Sequence, residues 1–253
     1  MFRIILFLLL LLPANVFAYE CSKEMDEYSK ELKIKIFCNP NEHELMSDQI
    51  KGNIPKQAEV NKFLPALKEF ISSYDISFIR KNIDEFFLLD TLKYQGNDVG
   101  GLSNGKKIYI SVEDLGYNYY IIYLKALHHE FSSNILKSSA YEQYLIWKNI
   151  SADYYETAKS FFLRCINNVS FAKLSDDGIY AGGFIINYGK TNAENDFNTY
   201  AEYLFTNPAK INELKKYEKI KTKINLLKKM YRILGYTGKF PDETWQITIA
   251  GLV

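Results

Sequence analysis

From Tyr119 to Lys137 the apolar positions recur at helical spacing. Leu124, Leu127, His128, Phe131 and Ile135 form one stripe, and His129 and Ser133 share a neighbouring face. Upstream, Leu67, Phe70 and Ile71 predict a helix over 65–71, and Leu32, Ile34 and Ile36 alternate with charged residues as a short half-buried strand does. Residues 85–94 are rich in Phe and Leu, and 108–112 is a second strand candidate. The turn-rich stretch 95–105 between them predicts an antiparallel hairpin. Residues 39–56 read as a polar connector, 140–162 as a mixed helical region, and 176–183 as a loop. The chain closes with helix over 208–234, where Ile220, Ile224, Leu227, Tyr231 and Leu234 step by 4, 3, 4 and 3.

The N-terminus breaks this amphipathic pattern. Arg3 precedes an unbroken apolar run from Ile4 to Leu12, Pro13 ends it, and Val16-Phe17-Ala18 suits cleavage before Tyr19. Residues 1–18 therefore read as a signal peptide, and the run is too short to span a bilayer. No later segment is apolar enough to anchor the chain. The expected destination is secreted or periplasmic. Residues 19–58 then form an N-terminal strand and connector, and 59–253 the main domain.

Composition narrows the partners. Without Arg3 the chain carries 30 basic and 30 acidic residues, so no bulk field recruits nucleic acid. Nine Lys and Arg lie between Lys210 and Arg232, which reads as a solvated helix face or as a surface for anionic partners. With 20 Tyr and 17 Phe, apolar mass suffices for a sizeable core. Cys21 and Cys38 flank a short segment and suit a disulfide in an oxidising compartment, with Cys165 left over.

The chemistry centres on Leu127-His128-His129-Glu130-Phe131-Ser132-Ser133. A zinc peptidase helix carries H-E-x-x-H, because residues i and i+4 lie on one helix face and two imidazoles can grip one ion. The glutamate then polarises the zinc-bound water. His129 and Glu130 supply the first half, but Ser133 stands at the second histidine, and a hydroxyl is short and a poor neutral ligand. His128 points about 100° away around the helix, and His43 would have to fold over the cleft. A serine nucleophile at Ser132 or Ser133 lacks a strained turn and an oxyanion hole.

Two motifs carry a family resemblance. His128-His129-Glu130-Phe131-Ser132, ending in Ile135-Leu136, resembles the H-H-E-F-A-H-I-L of secreted bacterial zinc-binding metallopeptidases of the gluzincin type. Tyr188-Gly189-Lys190-Thr191-Asn192-Ala193-Glu194-Asn195-Asp196-Phe197 resembles their Y-A-x-T-N-P-x-E-D-F, a pattern shared with lethal-factor-like peptidases. The resemblance covers roughly residues 60–235. It implies His129 as first ligand, Glu130 as general base and Tyr188 as the group that steadies the transition-state oxyanion. It puts Ser133 and Asn195 at the second and third ligand positions. Glu194 and Asp196 are further cleft candidates, with Glu202 a nearby carboxylate, and so is His128, whose other reading is a packed histidine on the apolar stripe.

The fold implied is zincin-like α+β. A small, mostly antiparallel sheet packs on the 119–137 helix, and a helical C-terminal half brings Tyr188 and Asn195 to face it. The function implied is a metallopeptidase-like protein with a degenerate zinc site, inactive and binding a peptide or protein in the old cleft. The alternative is an active zinc metallopeptidase with a non-standard ligand set.

Overall fold

The computed structural model describes residues 21–39, 49–113, 119–151 and 176–244. The expected signal peptide, Pro40 and His43 of the connector, Cys165 and the later part of the 140–162 region lie outside the described residues. Among the described residues no helix is long and apolar enough to cross a membrane.

The architecture is α+β. Helix α1 (Lys23–Leu32) leads to strand β1 (Lys35–Phe37), then β2 (Ile50–Gly52), α2 (Gln57–Ser72) and α3 (Ile76–Asn82). Strands β3 (Glu85–Leu89), β4 (Leu92–Tyr94), β5 (Asn97–Asp98), β6 (Gly101–Asn104) and β7 (Lys107–Ser111) follow. The second half carries α4 (Tyr119–Ser138), α5 (Tyr141–Ile150), α6 (Asp176–Ala181), a 3-10 turn (Asn187–Lys190), α7 (Ala193–Thr206), α8 (Pro208–Leu214) and α9 (Glu218–Ile233).

The expected hairpin is not formed. Strands β3 and β7 pair in parallel, with Phe86 opposite Ile108. The main sheet runs β1-β3-β7-β6, parallel except for β6 at its edge. The sheet that packs on α4 is thus mostly parallel, not mostly antiparallel. The reason lies in the unbroken run Phe86-Phe87-Leu88-Leu89. A strand covered on both faces needs apolar residues at every position, which is the pattern of a buried parallel strand. Phe86 and Leu88 join the helical core, while Phe87 and Leu89 join a smaller cluster with Ile50, Leu92 and Tyr109. The second sheet, β2-β4-β5, is antiparallel, with β2 from the expected connector, β4 from the end of the 85–94 stretch and β5 from the stretch that reads as turns.

Three further differences have local causes. The alternation at 32–36 is split, because Leu32 ends α1 and Lys33 turns the chain with φ of 51° before β1. The expected loop at 176–183 holds α6, closed by Gly183 at φ of +84° with its N–H on the Tyr180 carbonyl. The expected final helix is two helices, because Asn207 caps α8 and the chain breaks at 215–217 before α9. Cys21 and Cys38 are bridged, which ties the start of α1 to the end of β1.

The two elements that make the cleft, α4 and α7, pack tightly on each other. Their apolar faces meet through Phe131, Ile135, Phe197, Ala201 and Phe205. Helix α7 is held from behind by an ion pair. Lys223 Nζ on α9 lies 2.5 Å from Asp196 Oδ2 and 2.8 Å from the Gly183 carbonyl, with both charged side chains fully buried. Trp147, Phe184 and Tyr200 surround the ammonium. Burial pushes the Lys223 amine below the usual lysine range, and Asp196 opposes that shift.

This pair makes a stability prediction. Lys223→Met leaves Asp196 buried without its cation, and urea unfolding should show a loss of about 3–5 kcal/mol. Lys223→Met with Asp196→Leu should recover most of it. A loss under about 1 kcal/mol in the single variant would remove the pair from what holds α7 in place.

Candidate functional site

Helix α4 presents Lys125, Ala126, His129, Glu130, Ser133 and Lys137 towards the edge strand β6 and the start of α7, as positions 3, 4, 7 and 8 apart on one helix face do. Two adjoining cavities share Gly101, His129, Glu130 and Tyr188. One, of about 360 Å³, adds Val99, Gly100, Lys125, Ala126 and Glu202. The other, of about 330 Å³, adds Ser103, Ser133, Lys137, Glu194, Asn195 and Asn198 among others. Together they form one cleft. It collects His129, Glu130, Tyr188, Ser133, Asn195 and Glu194, which lie far apart in the sequence.

Two expected cleft residues are elsewhere. His128 is completely buried on the apolar stripe, with Nδ1 2.8 Å from Tyr74 Oη and its ring stacked on Phe205. Burial drives its pKa down to about 3, so it is a neutral core residue. Asp196 points away from the cleft into the Lys223 pair, because the residue after Asn195 on a helix turns about 100° onward. Lys210, Lys215, Lys221 and Lys228 are paired with Glu213, Asp242, Glu218 and Asp242 respectively, and Lys223 is buried. Five of the nine basic residues of 210–232 are thus ion-paired, one of them buried.

Glu130 is the most perturbed group in the cleft. Burial raises its carboxyl to about 7, against the lowering fields of His129 and Lys137. It fits only because residue 101 is glycine. A Cβ there would lie 2.6 Å from Glu130 Oε1. His129 Nδ1 lies 2.6 Å from Glu202 Oε1. Burial lowers the imidazole, but the bond to Glu202 and the fields of Glu130, Glu202 and Glu194 outweigh it, so His129 is held above its usual range. Glu202 lies two turns beyond Asn195 on α7, a spacing that places both near the cleft. In the sequence it is one of the carboxylates near the Tyr188 motif, outside the motif itself.

Tyr188, at 38 % exposure, sits with its ring 6.0 Å from that of His129. Burial of its hydroxyl and the nearby Glu130 raise it to about 12, so it stays protonated. Glu194 pairs with Lys137 at 3.0 Å across the mouth.

The start of α7 explains Asn195. Asn192 caps the helix by accepting the Asn195 N–H at 2.7 Å, and Asn195 Nδ2 turns back to Thr191 Oγ1 at 2.7 Å. Deeper in, Asn198 joins the helices. Its Nδ2 donates to Ser133 Oγ at 2.6 Å, and its Oδ1 lies 2.6 Å from Ser132 Oγ. The single Ser132 proton has two acceptors in reach, Asn198 Oδ1 and the His129 carbonyl at 2.8 Å. Ser132, Ser133 and Asn198 are all buried. Asn198 was not singled out in the sequence, where an asparagine on a helix reads as surface.

The site is thus a cleft between an edge strand and two helices, with an imidazole–carboxylate pair, a buried acid and a tyrosine facing one another. Among the described residues, no three His, Cys, Asp or Glu side chains are grouped so as to hold a metal ion. The chain belongs to the family described as "Putative zinc-binding metallo-peptidase", whose model matches residues 65–249. A solved structure described as a putative zinc-binding metallo-peptidase from Bacteroides caccae is similar at 14 % identity. The match covers 83 % of this chain and 87 % of that one, with a TM-score of 0.48. No curated protein matches the chain.

Truncating the bridge between the helices tests its contribution. Asn198→Ala strands the buried Ser133 hydroxyl and leaves Ser132 only the His129 carbonyl, and chemical denaturation should show a loss of about 1–3 kcal/mol. Ser133→Ala removes one partner on the other side and should cost less. If Asn198→Ala is as stable as the wild type, the bridge does not hold α4 to α7.

Proposed function

We propose that this family member has given up zinc chemistry and uses the cleft to bind an extended peptide segment outside the cytoplasm. The observation that carries the reading is the hydrogen bonding at the two positions where ligands are expected. Ser133 Oγ accepts from Asn198 at 2.6 Å, and the Asn195 amide is spent on Thr191. A catalytic zinc takes three protein ligands and keeps one position open. Of the three matched positions only His129 is an imidazole. Serine is short and neutral, and the neutral Asn195 amide is turned back into its own helix cap. This donor set does not suit zinc.

Without metal, the remaining groups suit binding. At neutral pH Glu130 is protonated in a large share of molecules, and a buried carboxylic acid donates a hydrogen bond to a carbonyl. Tyr188 donates likewise. Strand β6 pairs on one side only, with β7, and Gly101, Leu102 and Ser103 line the cleft. An edge strand of this kind accepts an added peptide strand through main-chain hydrogen bonds. The Cys21–Cys38 bridge suits an oxidising compartment, in keeping with the signal read at residues 1–18.

One observation favours a second reading, an active enzyme with a non-standard ligand set. The carboxylate of Glu202 at His129 Nδ1 is the contact that commonly orients a metal-bound imidazole. The two readings part in one experiment. Residues 19–253 are mixed with unstructured fluorescent peptides, and both binding and cleavage are followed with and without chelator. We expect saturable binding, no chelator-sensitive cleavage, and a Glu130→Gln variant that cleaves no less than the wild type. Chelator-sensitive cleavage that Glu130→Gln abolishes would establish the second reading instead.

A further inference from the structure

Lys125 is the charged group of the cleft that the proposed function leaves without a role. It lies one helical turn before His129, lines the 360 Å³ cavity, and rests its ammonium 4.8 Å above the Tyr203 ring. Among the described residues it makes no ion pair. The other charges in reach are engaged. Glu202 is bonded to His129, and at the far mouth Lys137 is paired with Glu194 and also reaches the Ser103 carbonyl. The wall beside Lys125 is apolar or bare backbone, from Val99, Gly100 and Ala126.

We propose that this cavity selects a ligand carboxylate, with Lys125 as the specificity-determining residue. The inference rests on the peptide-binding reading above and names the peptide class it takes. A side chain reaching in from a strand laid along β6 would set its methylenes against Val99 and Ala126 and its carboxylate on the ammonium. Stacking on Tyr203 limits the lysine's freedom, so less entropy is lost on binding. Two carboxyl groups, Glu130 and Glu202, share this cavity with Lys125, and Glu202 is held by the His129 imidazole. The carboxylate has two possible sources, an Asp or Glu side chain or the peptide's C-terminus.

Four synthetic peptides of one apolar sequence separate these sources. They carry Glu or Gln at one central position, each as the free acid and as the C-terminal amide. Affinities are measured by fluorescence anisotropy for the wild-type chain and for Lys125→Met and Lys125→Arg. For a side-chain carboxylate, the amidated Glu peptide binds about tenfold more tightly than its Gln twin. Lys125→Met erases the gap, Lys125→Arg keeps it, and added salt narrows it. For a C-terminal carboxylate, the free acids bind more tightly whatever the central residue, and Lys125→Met again erases the difference. If all four bind the wild type alike, or if the gap survives in Lys125→Met, the inference is overturned while peptide binding stands. If none binds, peptide binding itself fails and the selectivity falls with it.

Discussion

The bridge that Asn198 makes to Ser132 and Ser133 is the constraint on which the cleft depends. It is the polar part of an otherwise apolar contact between α4 and α7. Buried hydroxyls without partners would cost free energy, so the three residues must be satisfied together. Once they are, the register of the two helices is fixed. That register puts His129 opposite Glu202, one turn before Ser133 on α4 and one turn after Asn198 on α7. It also turns Asn195 to its own cap and Asp196 to the buried Lys223. One amide group therefore joins the two helices through both buried serines.

The electrostatics of the cleft follow from that register. Glu130 is pressed against the backbone of Gly101, where burial penalises its charge. His129 lies in the field of three carboxyl groups and is held towards its protonated form. Together with Tyr188 these groups present hydrogen-bonding atoms to one cleft.

Much of this could be read from the sequence. The α4 stripe from Leu124 to Ile135 has a clear helical period, and all of its members are buried. The motif around His129 and the one around Tyr188 are brought to one cleft. Three things were less legible. Strands 85–89 and 107–111 look like arms of a hairpin because sequence carries no direct record of strand direction, yet their unbroken apolar runs reflect burial on both faces. The cleft roles of residues 128 and 196 were inferred from adjacency to matched positions. A one-residue step on a helix carries a side chain to another face, here into the core and into a buried ion pair. Asn198 and Glu202 belong to no motif, and only the packing of α7 on α4 gives them partners.

The central claim is that hydrogen bonds have replaced metal ligands at residues 133 and 195. Zinc affinity of the chain 19–253, purified without a histidine tag, tests it most directly when set beside the Ser133→His, Asn195→Glu variant. The account predicts no tightly held zinc in the wild type and one zinc per chain in the variant. One tightly held zinc per wild-type chain, at an affinity the two substitutions do not improve, would contradict it.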